Sequence, residues 1–288
     1  MREFLARYVN AEAFDKLLCG YLRGVDIPDA LKPPIENALL SVGKRLRPAL
    51  CYFGADLSGG DRRDADPCAA AIECIHCYSL VHDDLECMDN DAMRHGKPAI
   101  HAQFGEDIAV LCGDALLNLA FEILIKESAT EAKRRAAEII ARKAGVSGMI
   151  GGQVVDVSAS VCDLASLEEM YRKKTGALLA AALMSGAAVG GADDQTLKRL
   201  EIYAYDIGVA YQFRYDVLDV TSTREVLGKD IGSDIDEGKV TAVTLLGLDG
   251  ADKKAKEYFE DALDAVSPLG ARSKPLFELA SLLGARTF

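Results

Sequence analysis

The placement of proline limits this chain more than any other feature. Six of its eight prolines fall at or before Pro98, and none recurs until Pro268. Proline lacks a backbone N–H and clashes with the preceding turn, so it ends or kinks helices. The long interior free of it can therefore hold a succession of helices. Periodicity agrees: from Ile108, apolar residues recur at Leu111, Cys112, Ala115, Leu116, Leu119, Ile123 and Leu124, the spacing of one helical face. Thr175 to Val189 is apolar all round the helical wheel, as in a fully buried helix or a membrane span. At 15 residues it is too short to cross a bilayer, and it reads as a central core helix. Few stretches alternate with period two. The expected class is all-α. With no linker-like composition shift and no repeat of 20 to 50 residues, residues 1–288 read as a single large helical domain.

Half the residues are hydrophobic and 27% are charged, the balance of a globular chain with a substantial core. A net charge of -12 and a pI of about 4.9 exclude the basic footprint of a nucleic-acid binder. A polyanionic substrate has to be met by local cations or metal ions. The segment Met1 to Asp15 mixes Arg2, Glu3, Arg7 and Glu12 and lacks the apolar core of a signal peptide. A cytoplasmic protein without a membrane span is expected. Eight cysteines scattered from Cys19 to Cys162 do not form a disulfide framework. Cys74-x-x-Cys77 near His76, His82 and Cys87 lacks the second paired set of a zinc finger, so reduced thiols are expected. Loops are expected at Leu57 to Asp61, at Gly190 to Asp194 and over the polar run Thr221 to Lys239. The last places Lys229, Asp230, Asp234, Asp236 and Lys239 between apolar segments, where a charged flap can cover a site.

The main chemical signal is the acidic cluster Asp83, Asp84, Glu86, Asp89 and Asp91, five carboxylates in nine residues after the apolar, helical stretch Ala69 to Val81. These groups repel one another and, at a helix C-terminal end, oppose the macrodipole, so a cation is favoured there. Oxygen-only ligands point to Mg2+, with Mn2+ as the alternative, rather than zinc. Arg94, His95 and Lys97 follow at once, and Gly43-Lys44-Arg45-Leu46-Arg47-Pro48 lies upstream. Carboxylates for metal with Lys and Arg beside them are the parts a diphosphate site needs.

The ordered motifs resemble those of short-chain trans-isoprenyl diphosphate synthases of the farnesyl/geranylgeranyl type, over roughly Val42 to Leu248. The family's GKRLRP stands at Gly43 to Pro48, and its ECIHxYSLxHDDxxxMDxD at Glu73 to Asp91. There follow Arg94-His95-Gly96, the GGQxxD element at Gly151 to Asp156, Lys174-Thr175-Gly176 and a second acidic motif around Gln212 to Asp219. Leu227-Gly228-Lys229 and Gly238-Lys239 complete the order. The resemblance implies an isoprenoid-synthase-type helical bundle with a central cavity, a homodimer, and a condensation of isopentenyl diphosphate with an allylic diphosphate. It assigns Asp83, Asp84 and Asp89 to the first metal motif, with Asp83 and Asp89 as direct ligands, and Asp216 and Asp219 to the second. Being six apart, Asp83 and Asp89 do not share a helical face, so the helix is expected to end or deform near Glu86. By the same resemblance Lys44, Arg47 and His76 hold isopentenyl diphosphate. Arg94, Lys174 and Lys229, with Lys239 assisting, hold the allylic diphosphate. Thr175 and Gln212 face the cavity as polar groups.

Loss of pyrophosphate from an allylic ester leaves a carbocation, and metal ions with Lys or Arg stabilise the leaving group. The partner's double bond attacks, a proton is lost, and no enzyme nucleophile is required. Tyr78, five residues before Asp83, resembles the bulky floor that stops growth near fifteen carbons, which favours a C15 over a C20 product. Two positions depart from the family pattern. The second motif normally opens with an acid that binds a third metal ion, and here that position is Tyr215, a phenol of pKa about 10 and a poor Mg2+ ligand. His95 stands where a second Arg touches isopentenyl diphosphate, and imidazole cannot make a bidentate fork. If each loss costs roughly 2 to 4 kcal/mol, the rate falls by about 10^3 to 10^6. Two alternatives follow: a catalytically impaired regulatory or binding relative, and a terpene-cyclase-like lyase that ionises an allylic diphosphate without condensing it. Against the lyase, the segment after Asp216 has Leu227 where the cyclases' second metal triad ends in an acid.

Overall fold

The computed structural model describes residues 1–40, 43–94, 96–221 and 239–284. Two short N-terminal helices, α1 (Arg2–Ala6) and α2 (Ala11–Leu22), lead into α3 (Lys32–Leu40), α4 (Leu46–Ser58) and α5 (Arg62–Asp83). A two-residue hairpin follows, β1 (Met93–Arg94) antiparallel to β2 (Lys97–Pro98). Next come α6 (Ile100–Phe104), α7 (Glu106–Glu127), α8 (Glu131–Ala144), α9 (Met149–Val157) and α10 (Leu164–Tyr171). One turn of π-helix, Arg172–Gly176, joins α10 to α11 (Ala177–Val189). Then follow α12 (Asp194–Thr221), α13 (Ala242–Val266), a 3-10 stretch (Ser267–Ser273) and α14 (Lys274–Gly284). The all-α expectation holds, with the hairpin as the sole strand pair among the described residues.

Local chemistry sets the helix starts. Asn10, Asp61, Thr130 and Asp163 each accept a backbone N–H of the first turn, which removes an otherwise orphaned donor. Thr241 forms a reciprocal capping box with Thr244 at the start of α13. The expected loop at Leu57 to Asp61 is shorter than read: α4 runs through Ser58, and Gly59, at φ 80, ends it. A left-handed residue there costs glycine nothing.

The centre of the bundle is α11, lying against α4, α5, α8 and α12. Its residues Ala177 to Ala188 are all buried, as the all-round apolar pattern requires. Small side chains let the backbones close in: a Cβ on Gly186 would lie 1.8 Å from the Cys51 carbonyl oxygen of α4. α7 is long and apolar enough to cross a membrane by length and composition alone. In the fold it packs on α5, α3, α6 and α8, with Ala109, Cys112, Leu116, Leu119, Ile123 and Leu124 inward. All eight cysteines are free, and Cys74 and Cys77 are buried on α5. Burial pushes the Cys74 thiol up to about 12, as in an inert core residue.

Candidate active site

The site grows from the C-terminal end of α5. That helix stops at Asp83, with Asp84 as its cap, three residues before the expected break at Glu86. The chain then turns tightly: Asp89 donates its N–H to the Asp83 carbonyl at 2.9 Å, and Asn90 donates to that of Leu85 at 3.0 Å. Asn90 is left-handed, with φ 53. This turn brings Asp89 back beside Asp83, which six residues of regular helix would not do.

Basic groups from three other segments, and an amide from a fourth, meet the acids. Arg94 on β1 donates its Nε to Asp84 Oδ1 at 2.8 Å and Nη2 to Asp91 Oδ2 at 3.1 Å. Lys239, just before α13, places its Nζ 3.4 Å from Asp89 Oδ1, across 150 residues of chain. Lys174 on the π-turn donates to Asp156 Oδ2 of α9 at 2.5 Å and interacts with Asp83. Gln153, also on α9, donates its amide to Asp83 Oδ1 at 2.6 Å. Burial pushes the Asp83 carboxyl up to about 6, with Asp89 adding to the rise and Lys174 opposing it. Burial also raises Asp84, against the pull of Arg94. Lys174 shows the converse balance: burial disfavours its charge, yet Asp83 and Asp156 hold its pKa above the ordinary value.

A second basic group lies upstream. Lys44 is exposed, and Arg47 in the first turn of α4 is within 3.2 Å of His76 Nε2 on α5. Arg45, between them, is buried and left-handed (φ 53). Its guanidinium bonds Glu73 at 2.6 Å, and Asp15 and the Leu39 carbonyl at 2.7 Å each. Arg45 therefore ties α2, α3 and α5 together, between the motif's other two cations. Tyr78 is buried on α5, edge-on to His82 at 5.8 Å.

The second acidic motif sits near the end of α12, with Asp216 and Asp219 buried and Tyr215 and Gln212 half-buried. The Tyr215 ring lies 6.3 Å from that of Tyr211. Asp216 Oδ2 accepts the Tyr171 hydroxyl and the Ala242 N–H, each at 2.7 Å. Thr175 is half-buried on the π-turn. His95 and Lys229 lie outside the described residues, as do Asp230, Asp234 and Asp236.

Gln153, Asp156, Arg45, Glu73 and Tyr171 were not singled out from sequence as site residues, although all but Tyr171 lie in the quoted motifs. A buried charge needs a partner, and that rule could have flagged Arg45 with Glu73. Among the described residues no three His, Cys, Asp or Glu side chains converge as a self-sufficient metal cluster. A cavity of about 460 Å³ between Arg7, Phe53, Arg272 and Glu278 does not include the acidic turn.

Comparison with known proteins bears on this geometry. Residues 28–274 match the model of the polyprenyl synthetase family. The chain is 42% identical over 267 residues to "Geranylgeranyl pyrophosphate synthase 7, chloroplastic" of Arabidopsis thaliana, covering 90% of this chain and 77% of that one. It is 36% identical over 281 residues to the farnesyl diphosphate synthase of Bacillus subtilis, covering 96% and 95%. A crystal structure of geranyltransferase from Helicobacter pylori, complexed with magnesium and isoprenyl diphosphate, superposes with a TM-score of 0.81 at 31% identity, over 97% and 96% of the two chains.

Proposed function

Because the chain belongs to the polyprenyl synthetase family, we propose that its acidic, lysine-lined site joins isopentenyl diphosphate to an allylic diphosphate, releasing a short-chain prenyl diphosphate. The activity is a trans-prenyl transfer of the C15 or C20 class, and C15 is the product this site favours. The observation that carries the reading is the meeting of Asp83, Asp84 and Asp89 with Lys174, Lys239 and Arg94, drawn from four separate segments.

The donors suit Mg2+, or Mn2+ in its place. Magnesium is usually held by one or two carboxylates and completed by substrate phosphates. Asp83 and Asp89 supply oxygen donors of that kind, and the burial that raises the Asp83 pKa leaves its carboxylate in need of a countercharge. When bound, the ion neutralises charge on the departing diphosphate. The chain's own cations act beside it. Lys174, Arg94 and Lys239, with Lys229, bind the allylic diphosphate and stabilise the charge that develops as its C–O bond breaks. Asp84 orients Arg94, Gln153 orients Asp83, and Asp156 holds Lys174. Lys44, Arg47 and His76, with His95, bind isopentenyl diphosphate. Thr175 and Gln212, both half-buried, are the polar groups that this reading sets toward the cation, where exclusion of water protects it. Tyr78, buried on α5 five residues before Asp83, closes the floor in this reading. We read the chain as one catalytic unit that pairs as a homodimer and works in a reducing compartment such as the cytoplasm, where its eight free thiols persist.

A product assay tests this. Purified protein with Mg2+ and labelled isopentenyl diphosphate is expected to give C15 from dimethylallyl or geranyl diphosphate and to leave farnesyl diphosphate unextended, and Tyr78→Ala to extend the product to C20 or beyond. Folded protein that elongates no primer would overturn the reading in favour of a binding relative. Pyrophosphate release without isopentenyl diphosphate would favour the lyase.

A further inference from the structure

We propose that Asp216 is a positioning residue that clamps the two lysine-bearing segments of the site together, and is not a metal ligand. The proposal rests on the diphosphate-site reading above and gives the second acidic motif a different role from the first.

Asp216 is 6% exposed on α12. Its Oδ2 accepts two hydrogen bonds of 2.7 Å, from the Tyr171 hydroxyl and from the Ala242 backbone N–H, which occupy both lone pairs of that oxygen. Each donor leads to a different lysine. Tyr171 is the last residue of α10, and the π-turn that follows carries Lys174, three residues on. Ala242 is the first residue of α13, and Lys239 lies three residues before it. Lys174 reaches Asp156 and interacts with Asp83, while Lys239 reaches Asp89. One carboxylate on α12 thus fixes the spacing of both lysines that face the acidic turn.

The energetics favour the clamp. A carboxylate at a helix N-terminus is attracted by the macrodipole as well as by the N–H it binds, and hydrogen bonds to an ionised acceptor are stronger than neutral ones. An ion that took Oδ2 would strip the first turn of α13 of that acceptor. Tyr215, where the resemblance places the third ion's ligand, is a half-buried phenol against Tyr211. Asp83, Asp89 and Asp219 then remain as the carboxylates for direct metal binding.

Two measurements on the full chain decide the matter. In a thermal double-mutant cycle of Tyr171→Phe and Asp216→Asn, each change should lower Tm by roughly 2 to 6 °C, and the pair should cost little more than Asp216→Asn alone. Titration of inorganic pyrophosphate with Mn2+, followed by electron paramagnetic resonance, should show the same number of ions per chain in wild type and Asp216→Asn. Pyrophosphate affinity should fall by about tenfold, non-additively with Lys239→Met. Should Asp216→Asn not fold, Tyr171→Phe alone must weaken pyrophosphate severalfold with the ion count intact. Loss of one Mn2+ per chain in Asp216→Asn, or strictly additive effects with Tyr171→Phe, overturns the clamp. Wild type that binds no pyrophosphate at all would instead overturn the site reading, and the proposal's link to the lysines with it.

Discussion

At the scale of single residues, the least comfortable group is Asp83. Its carboxyl titrates near 6 in the fold against an ordinary 3.8, chiefly because it is buried. Between those values the folded chain holds more protons than the unfolded one, so this group's contribution to stability declines as pH rises from about 4 to about 6 and stays low above. Replacing it by a neutral isostere should relieve the metal-free protein only where Asp83 is charged. Asp83→Asn is therefore expected to raise Tm relative to wild type at pH 8 and to change it little at pH 4, by calorimetry in chelator. Addition of Mg2+ with pyrophosphate should reverse the ranking at pH 8. A Tm difference that does not vary with pH would mean that burial is not what shifts Asp83. The sequence named Asp83 and Arg94 because charge clusters survive in one dimension, and Lys174 through the motif that resembles the family's. It could not name Gln153 or Asp156 as their partners, since those contacts join residues 70 and 18 positions apart. Nor could it show that Arg45, in the same cationic run as Lys44 and Arg47, turns inward to Glu73.

At the scale of elements, the decisive piece is the π-turn Arg172–Gly176 and its seat against α9. A Cβ on Gly152 would lie 2.3 Å from the Lys174 backbone nitrogen and 2.8 Å from the Lys173 carbonyl carbon. Backbone cannot yield as a side chain end does, so any other residue pushes α9 off the turn. α9 carries both Gln153 and Asp156, and the site is disturbed at Asp83 and Lys174 together. Gly152→Ala is expected to cost about 1 to 3 kcal/mol in stability and more than tenfold in kcat/KM. Ala substituted at the exposed Ser158, just past the helix, should leave both near wild type. Steady-state kinetics beside chemical denaturation would check this, and an active Gly152→Ala would show that the seat is not tight. Helical periodicity foretold α7, α11 and the helix before the acidic cluster. It did not foretell the π-turn, because a register change of one residue leaves an all-apolar pattern such as Thr175 to Val189 looking the same.

At the scale of the whole molecule, the architecture followed from pattern alone: proline at the two ends, apolar periodicity between them, and one helix apolar all round at the centre. The assembly is a different matter, because a helix face built for solvent and one built for a second copy differ only in a few side chains. α7 buries one face against α5, while Leu111 and Ile125 stand 50% and 77% exposed on it, with Phe121 half-buried nearby. Single exposed apolar residues are ordinary. Three along one long helix, lacking charge at those positions, make a strip that a second copy could cover by the same face, as a twofold contact requires. Sedimentation equilibrium of the full chain is therefore expected to give twice the 30.9 kDa of one chain. The pair Leu111→Asp and Ile125→Asp should bring the mass down to a single chain while leaving the helical circular dichroism unchanged. A wild-type mass of one chain would refute the dimer. A dimer that survives both charges would keep the pairing but move it off α7, to the other apolar strip at Ile150, Val154 and Val157 on α9. That outcome would set the pairing surface on the helix that carries Gln153 and Asp156, and so couple assembly directly to the acidic site.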